Sequence, residues 1–133
     1  MKPKIFRSSI ILIFAGLFLG VFSACEKPEG EGGTSIITGK VRVKEIKSGL
    51  EYDAQEERVY IIYGNDITHS NDVRTNYDGT YRFSYLRKGE YTIYAYSEDT
   101  ADISLSGIIP VKVSVEITKN NQIIEAEDIV IID

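Results

Sequence analysis

Beyond residue 36 the apolar positions recur mostly at every second place, the spacing of a β-strand with one face buried. In Ile37 to Ile46, Val41 and Val43 fall on one side, and Lys40, Arg42 and Lys44 on the other. That strand has one solvated face. Arg58 to Tyr63 is apolar enough to be buried on both faces, and Val73 to Asn76 makes a short strand. Pro110 opens the cleanest alternation, with Val111, Val113, Val115 and Ile117 set against Lys112, Ser114, Glu116 and Thr118. Proline is tolerated at a strand start, where no ladder donor is needed. Ile123 to Ile132 returns as a last strand ending in an apolar run. The stretches between them, Lys47 to Glu57, Gly64 to Asn71 and Glu98 to Gly107, are polar and rich in turn residues, and so predict loops.

The chain is organised around Thr75 to Ser97. Asp78-Gly79 is a turn signal, since aspartate bonds to nearby backbone and glycine accepts positive φ. Tyr81, Phe83 and Tyr85 then alternate with Arg82 and Ser84, and Leu86 ends the strand. Arg87 to Glu90 turns the chain through Gly89. The next strand sets Tyr91, Ile93 and Ala95 on one face and Thr92, Tyr94 and Tyr96 on the other. So short a connection predicts an antiparallel hairpin. Seven short strands, with no helical stretch after residue 24, predict an all-β chain: a seven-stranded antiparallel β-sandwich of about 100 residues.

The pattern Thr75, Gly79, Tyr81, Phe83, Leu86, Gly89, Tyr91 resembles the core of carboxypeptidase regulatory-like domains, which are transthyretin-like (prealbumin-like) sandwiches related to collagen-adhesin B-type domains. Asn76 stands where that pattern has aspartate. The resemblance spans roughly residues 36–133 and implies a non-catalytic module without a cofactor; fold alone says little of function. The adhesin relatives can carry an isopeptide bond. Lys40 or Lys44 and Asp128 lie in the first and last strands, but the middle-strand acid is missing at Tyr94-Ala95-Tyr96, so no such bond is expected.

Ahead of the domain, Lys2, Lys4 and Arg7 precede the apolar run Ile10 to Phe22, the layout of a secretory signal. As a permanent span the run is short, because a helix needs about 20 apolar residues to cross. Ser23-Ala24-Cys25 closes it, and Cys25 is the only cysteine, so no internal disulfide can form. Small residues before a cysteine at this place resemble the bacterial lipobox, although Phe22 replaces its usual leucine. The resemblance implies cleavage after residue 24 and acylation of Cys25, with outer-membrane anchoring through several acyl chains. Three parts follow: a signal peptide at 1–24, the lipidated Cys25 with a flexible acidic tether at 25–35, and the sandwich at 36–133. The acidic residues after Cys25 resemble surface-export signals of Bacteroidetes lipoproteins; a plain linker explains them equally well.

Charge narrows the partners. The chain has 15 Lys and Arg against 20 Asp and Glu. Removing the signal takes three cations and no acid, leaving 12 against 20 and a net charge of −8. That balance argues against nucleic acid, which needs a basic footprint, and against electrostatic adhesion to anionic lipid. The expected partners are the membrane, through Cys25, and a protein at the cell envelope, met by loops or by an exposed strand edge.

Catalytic chemistry finds no constellation. His69 is the only histidine and sits in a polar loop, so a zinc site lacks ligands and a serine nucleophile lacks an oriented base. Asn65, Asp66, Asn71 and Asp72 could give oxygens to calcium, but the spacing of a dedicated loop is absent. Glu56-Glu57 and Glu125 to Asp128 read as solvated strand-end charges. Nine tyrosines invite a carbohydrate-binding alternative. Tyr81, Tyr85 and Tyr91 run in phase with core positions, which leaves Tyr60, Tyr94 and Tyr96 as the surface candidates.

Overall fold

The computed structural model describes residues 28–133. Nine strands follow in order: β1 (Glu31–Lys44), β2 (Glu51–Asp53), β3 (Arg58–Tyr63), β4 (Asn71–Arg74), β5 (Thr80–Leu86), β6 (Gly89–Glu98), β7 (Ile108–Ile117), β8 (Ile123–Glu125) and β9 (Ile129–Ile132). They form two sheets. In the first, the long β1 runs through the middle, with β5 and β2 on antiparallel ladders and β8 and β9 on parallel ones. The second has the order β4-β3-β6-β7 and is antiparallel throughout.

Alternation decides what lies between the sheets. Ile37 and Val41 face inward from β1, Val59 and Ile61 from β3, Ile93 and Ala95 from β6, and Ile129 from β9, all fully buried. Strand β7 keeps the predicted phase: Val115 and Ile117 are buried while Lys112, Ser114 and Glu116 are exposed. The Asp78-Gly79 turn also forms as read. Gly79 adopts φ +79°, its amide donates to the Asn76 carbonyl at 3.0 Å, and the Asp78 carboxylate accepts from the Thr80 amide at 3.2 Å. Thr75 is buried because its hydroxyl donates to the Ala54 carbonyl and accepts from the Glu57 amide, tying two loops together.

Several expectations are corrected. Strands β5 and β6 do not make a hairpin: β5 pairs with β1, and β6 pairs with β3 and β7, so Arg87-Lys88 crosses from one sheet to the other. The reason is local. Tyr85 takes φ +59°, which turns its ring to solvent (74% exposed) and drops Leu86 into the core (2%), breaking the two-residue phase. The chain's own beginning then supplies the partner: Glu31 and Ser35 both register against Leu86, and the Arg87 amide donates to the Gly30 carbonyl at 2.9 Å. Gly33 sits in that bulge, and a Cβ there would run into the Leu86 carbonyl.

The sandwich is therefore not wholly antiparallel, since the β1–β8 and β1–β9 ladders are parallel. Nor does it have seven strands. Glu51–Asp53, expected as loop, pairs with the end of β1, and the expected last strand breaks into β8 and β9 around Ala126, whose amide turns to the Thr38 carbonyl at 2.7 Å. The expected strand Val73 to Asn76 lies slightly earlier, at Asn71–Arg74. The fold also begins before Ile36: residues 31–35 belong to β1, and the Gly30 amide donates to the buried Tyr91 hydroxyl at 2.9 Å. These residues are folded structure, where the sequence suggested a tether.

Candidate functional site

The outward face of the second sheet gathers aromatic rings. Because Val59 and Ile61 point inward from β3, Tyr60 points out; because Ile93 and Ala95 point inward from β6, Tyr94 and Tyr96 point out. Register then makes Tyr60 and Tyr94 directly opposed partners. Their rings stack at 5.0 Å between centroids and 15° between planes. Tyr96 meets both edge-on, at 5.5 Å from Tyr60 and 5.6 Å from Tyr94. His69, from the loop between β3 and β4, sets its imidazole 4.8 Å from the Tyr60 ring. Offset and edge-to-face pairs of this kind contribute about 0.5–1.5 kcal/mol each beyond area burial, so the cluster holds itself in shape.

Burial within the cluster is graded. Tyr94 is only 7% exposed although it lies on the outer face, whereas Tyr96 is 38% exposed. Desolvation first, and the neighbouring Tyr96 hydroxyl second, push the Tyr94 phenol up to about 12. Its stabilising neutral form is fully present below the ordinary tyrosine value of about 10 and is lost as pH rises from there through the folded-state value. Burial raises Tyr81 and Tyr91 in the same direction. The thermal midpoint should accordingly fall above pH 10, and fall less steeply in Tyr94→Phe, which cannot ionise. Circular-dichroism melts across a pH series would check this; identical slopes would remove Tyr94 from the account.

Charged residues rim the rings. Tyr60 is registered against Asp72 on β4, and Tyr94 against Lys112 on β7. One row along, Tyr96 pairs with Pro110, and Arg58 pairs with Arg74. The Arg58 guanidinium reaches the Asp72 carboxylate at 3.3 Å. This face offers aromatic rings with hydrogen-bonding groups around them. A groove of about 820 Å³ lies elsewhere, where the chain enters the fold, lined by Pro28, Glu29, Arg87, Lys88, Glu116 and Thr118 among others.

The three tyrosines singled out in sequence are thus brought together. His69, expected as a solvated loop residue, joins them, and of the rim residues the sequence singles out only Asp72, as a candidate calcium ligand, and Lys112, as a polar position opposite the valines of β7. Alternation placed most of these side chains outward, but only the β3–β4, β3–β6 and β6–β7 registers bring them side by side. Cys25, the expected acylation site, lies outside the described residues. Of the candidate calcium ligands, Asp72 is engaged by Arg58, and Asp66 accepts from Ser70 at 3.3 Å. Among the described residues no three His, Cys, Asp or Glu side chains come together to hold a metal ion. The Lys40 ammonium stands 3.1 Å from Asp53 on the outside of the first sheet.

No family model matches the chain. No curated protein matches it either. Among solved structures it is similar to a proposed carbohydrate binding protein of Pseudomonas aeruginosa, at a TM-score of 0.48 and 13% identity over 84% of this chain and 94% of the other. It is also similar to (S)-allantoin synthase, at a TM-score of 0.40 and 14% identity over 74% of this chain; there the chain spans 42% of the enzyme's length.

Proposed function

We propose that this chain is a non-catalytic lipoprotein of the bacterial outer membrane, held through acyl chains on Cys25, and that its sandwich presents the tyrosine face of the second sheet to a carbohydrate. One observation carries the ligand reading: Tyr60, Tyr94 and Tyr96 converge on one outward face, with a charged rim beside them. Aromatic faces stack on the apolar faces of sugar rings, and rim side chains can bond the hydroxyls. The likeness of residues 36–133 to carboxypeptidase regulatory-like, transthyretin-like modules agrees with a presenting role rather than a catalytic one. A protein partner remains the second reading. Strand β7 ends the second sheet, and its ten residues could accept an added strand, with Pro110 withholding one donor.

Replacing Cys25 by Ala should shift the protein from the membrane fraction to the soluble envelope fraction. Full retention of Cys25→Ala in membranes would count against the anchor. The sugar reading is tested on affinity gels cast with glycans, where Tyr96→Ala should lose the retardation that the unaltered chain displays. Retardation that survives this substitution would move the site away from the tyrosine face.

A further inference from the structure

We infer that the ligand of the tyrosine face is an acidic polysaccharide, one whose sugar rings carry carboxylates. This rests on the carbohydrate reading above and adds the charge class of the ligand.

The argument begins with where the cations stand. After signal removal the chain carries a net charge of −8, yet the two rows of the second sheet that hold the tyrosines contain Arg58, Arg74 and Lys112 against one carboxylate, Asp72. Asp72 already engages Arg58 at 3.3 Å. Arg74 and Lys112 make no ion pair within 4 Å among the described residues; Arg74 donates to the Glu56 carbonyl at 3.3 Å and feels the Glu57 carboxylate from further off. Glu98 stands one row beyond Tyr96. A locally cationic face on an acidic domain is what charge complementarity to an anionic ligand requires, and it also repels fewer such chains than the rest of the surface.

The spacing suits a polymer. Arg74, Arg58 and Tyr96 lie on three neighbouring strands, and Asp72, Tyr60, Tyr94 and Lys112 on four. With strands about 4.8 Å apart, the cations flank the rings across about 14 Å, the length of a short oligosaccharide laid over the sheet. Sugar rings on Tyr96 and Tyr60 would leave their carboxylates near Lys112 on one side and Arg74 on the other. Arginine suits this role, because its planar guanidinium matches a carboxylate with two parallel bonds.

The test uses the full chain in non-ionic detergent on gels cast with polygalacturonate, with its fully methyl-esterified form, or with a neutral glucan. The esterified polymer keeps the backbone and removes the charge, so it isolates the carboxylates. Strong retardation by polygalacturonate is expected, with several-fold less by the ester. The Arg74→Gln, Lys112→Gln double variant should lose most of that difference, and added salt should weaken the retardation by polygalacturonate. Both positions are exposed, so folding should survive, and an unchanged circular-dichroism melt would check it. Equal retardation by all three polymers, abolished by Tyr96→Ala but untouched by the double variant, would overturn the acidic ligand and leave the carbohydrate reading standing. No retardation by any polymer would overturn both.

Discussion

Replacing Gly79 by Val should lower the stability of the protein by about 4 kcal/mol or more. Gly79 closes the turn before β5 at φ +79°, a conformation that costs an L-residue about 1–3 kcal/mol. Space adds to the conformational cost. A Cβ at this position would sit 2.6 Å from the Val41 carbonyl oxygen and 3.2 Å from the Ala54 amide nitrogen. Both are backbone atoms, and that carbonyl already accepts from Ala54 at 3.0 Å while the Val41 amide donates to the Gly79 carbonyl at 2.9 Å. Nothing there can swing aside as a side chain would. A total loss of about 4 kcal/mol or more is a large part of the stability of an ordinary domain, about 5–15 kcal/mol. Gly49 supplies the control: its φ is +71°, but nothing lies within 4 Å of its added Cβ. Gly49→Ala should cost only about 1 kcal/mol, from backbone conformation alone. Urea midpoints of the two variants would compare them, and equal losses would mean that the close approach to Val41 is unimportant.

The second large effect separates the two faces of β6. Ile93 is fully buried between its sheet partners Ile61 and Val113, and Ile93→Ala should cost about 2–5 kcal/mol through lost burial and the cavity left behind. Tyr94→Ala, one residue along, removes a ring held by Tyr60 and Tyr96 on the outside and should cost about 1–3 kcal/mol. Binding should follow the opposite order. The Ile93 variant, where still folded, should keep its retardation on glycan gels, while the Tyr94 variant should lose it. Denaturation midpoints and gels on the same preparations would read both quantities. If the Ile93 variant lost binding while folded, the ligand would depend on the core rather than on the tyrosine face.

Much of the local structure could be read along the chain. Strand β7 alternates apolar and polar side chains from Val111 to Ile117, and its inward set is the one predicted, because each side chain's direction follows from its neighbour's in a period of two. The Asp78-Gly79 turn formed for a reason internal to the five residues from Asn76 to Thr80. Tyr60, Tyr94 and Tyr96 fall on the outer face because Val59, Ile61, Ile93 and Ala95 beside them point inward, yet Tyr94 is only 7% exposed, and Tyr85, expected in phase with the core, is 74% exposed.

Pairing was another matter. The short Arg87-Lys88 connection looked like a hairpin, yet a single residue, Tyr85 at φ +59°, turned the chain out of its sheet and into the opposite one. The glycine-rich residues 31–35 looked like a linker. They became strand because Leu86 and Arg87 offered unpaired backbone groups and only glycine could come close enough to meet them. Glu51–Asp53 reads as loop by composition, but the end of β1 gives it a partner, and Asp53 a salt bridge to Arg42 at 2.8 Å.

By itself the sequence determined that the described residues are all-β and which side chains of most strands face in or out. Those properties depend on neighbours one or two residues apart, so they are written locally. The tertiary structure alone decided which strands lie side by side, and with that the tyrosine cluster, the place of His69 and the cationic rim. Register between strands is a long-range choice, settled by backbone groups that need partners and by a core that must close, and a linear pattern carries neither.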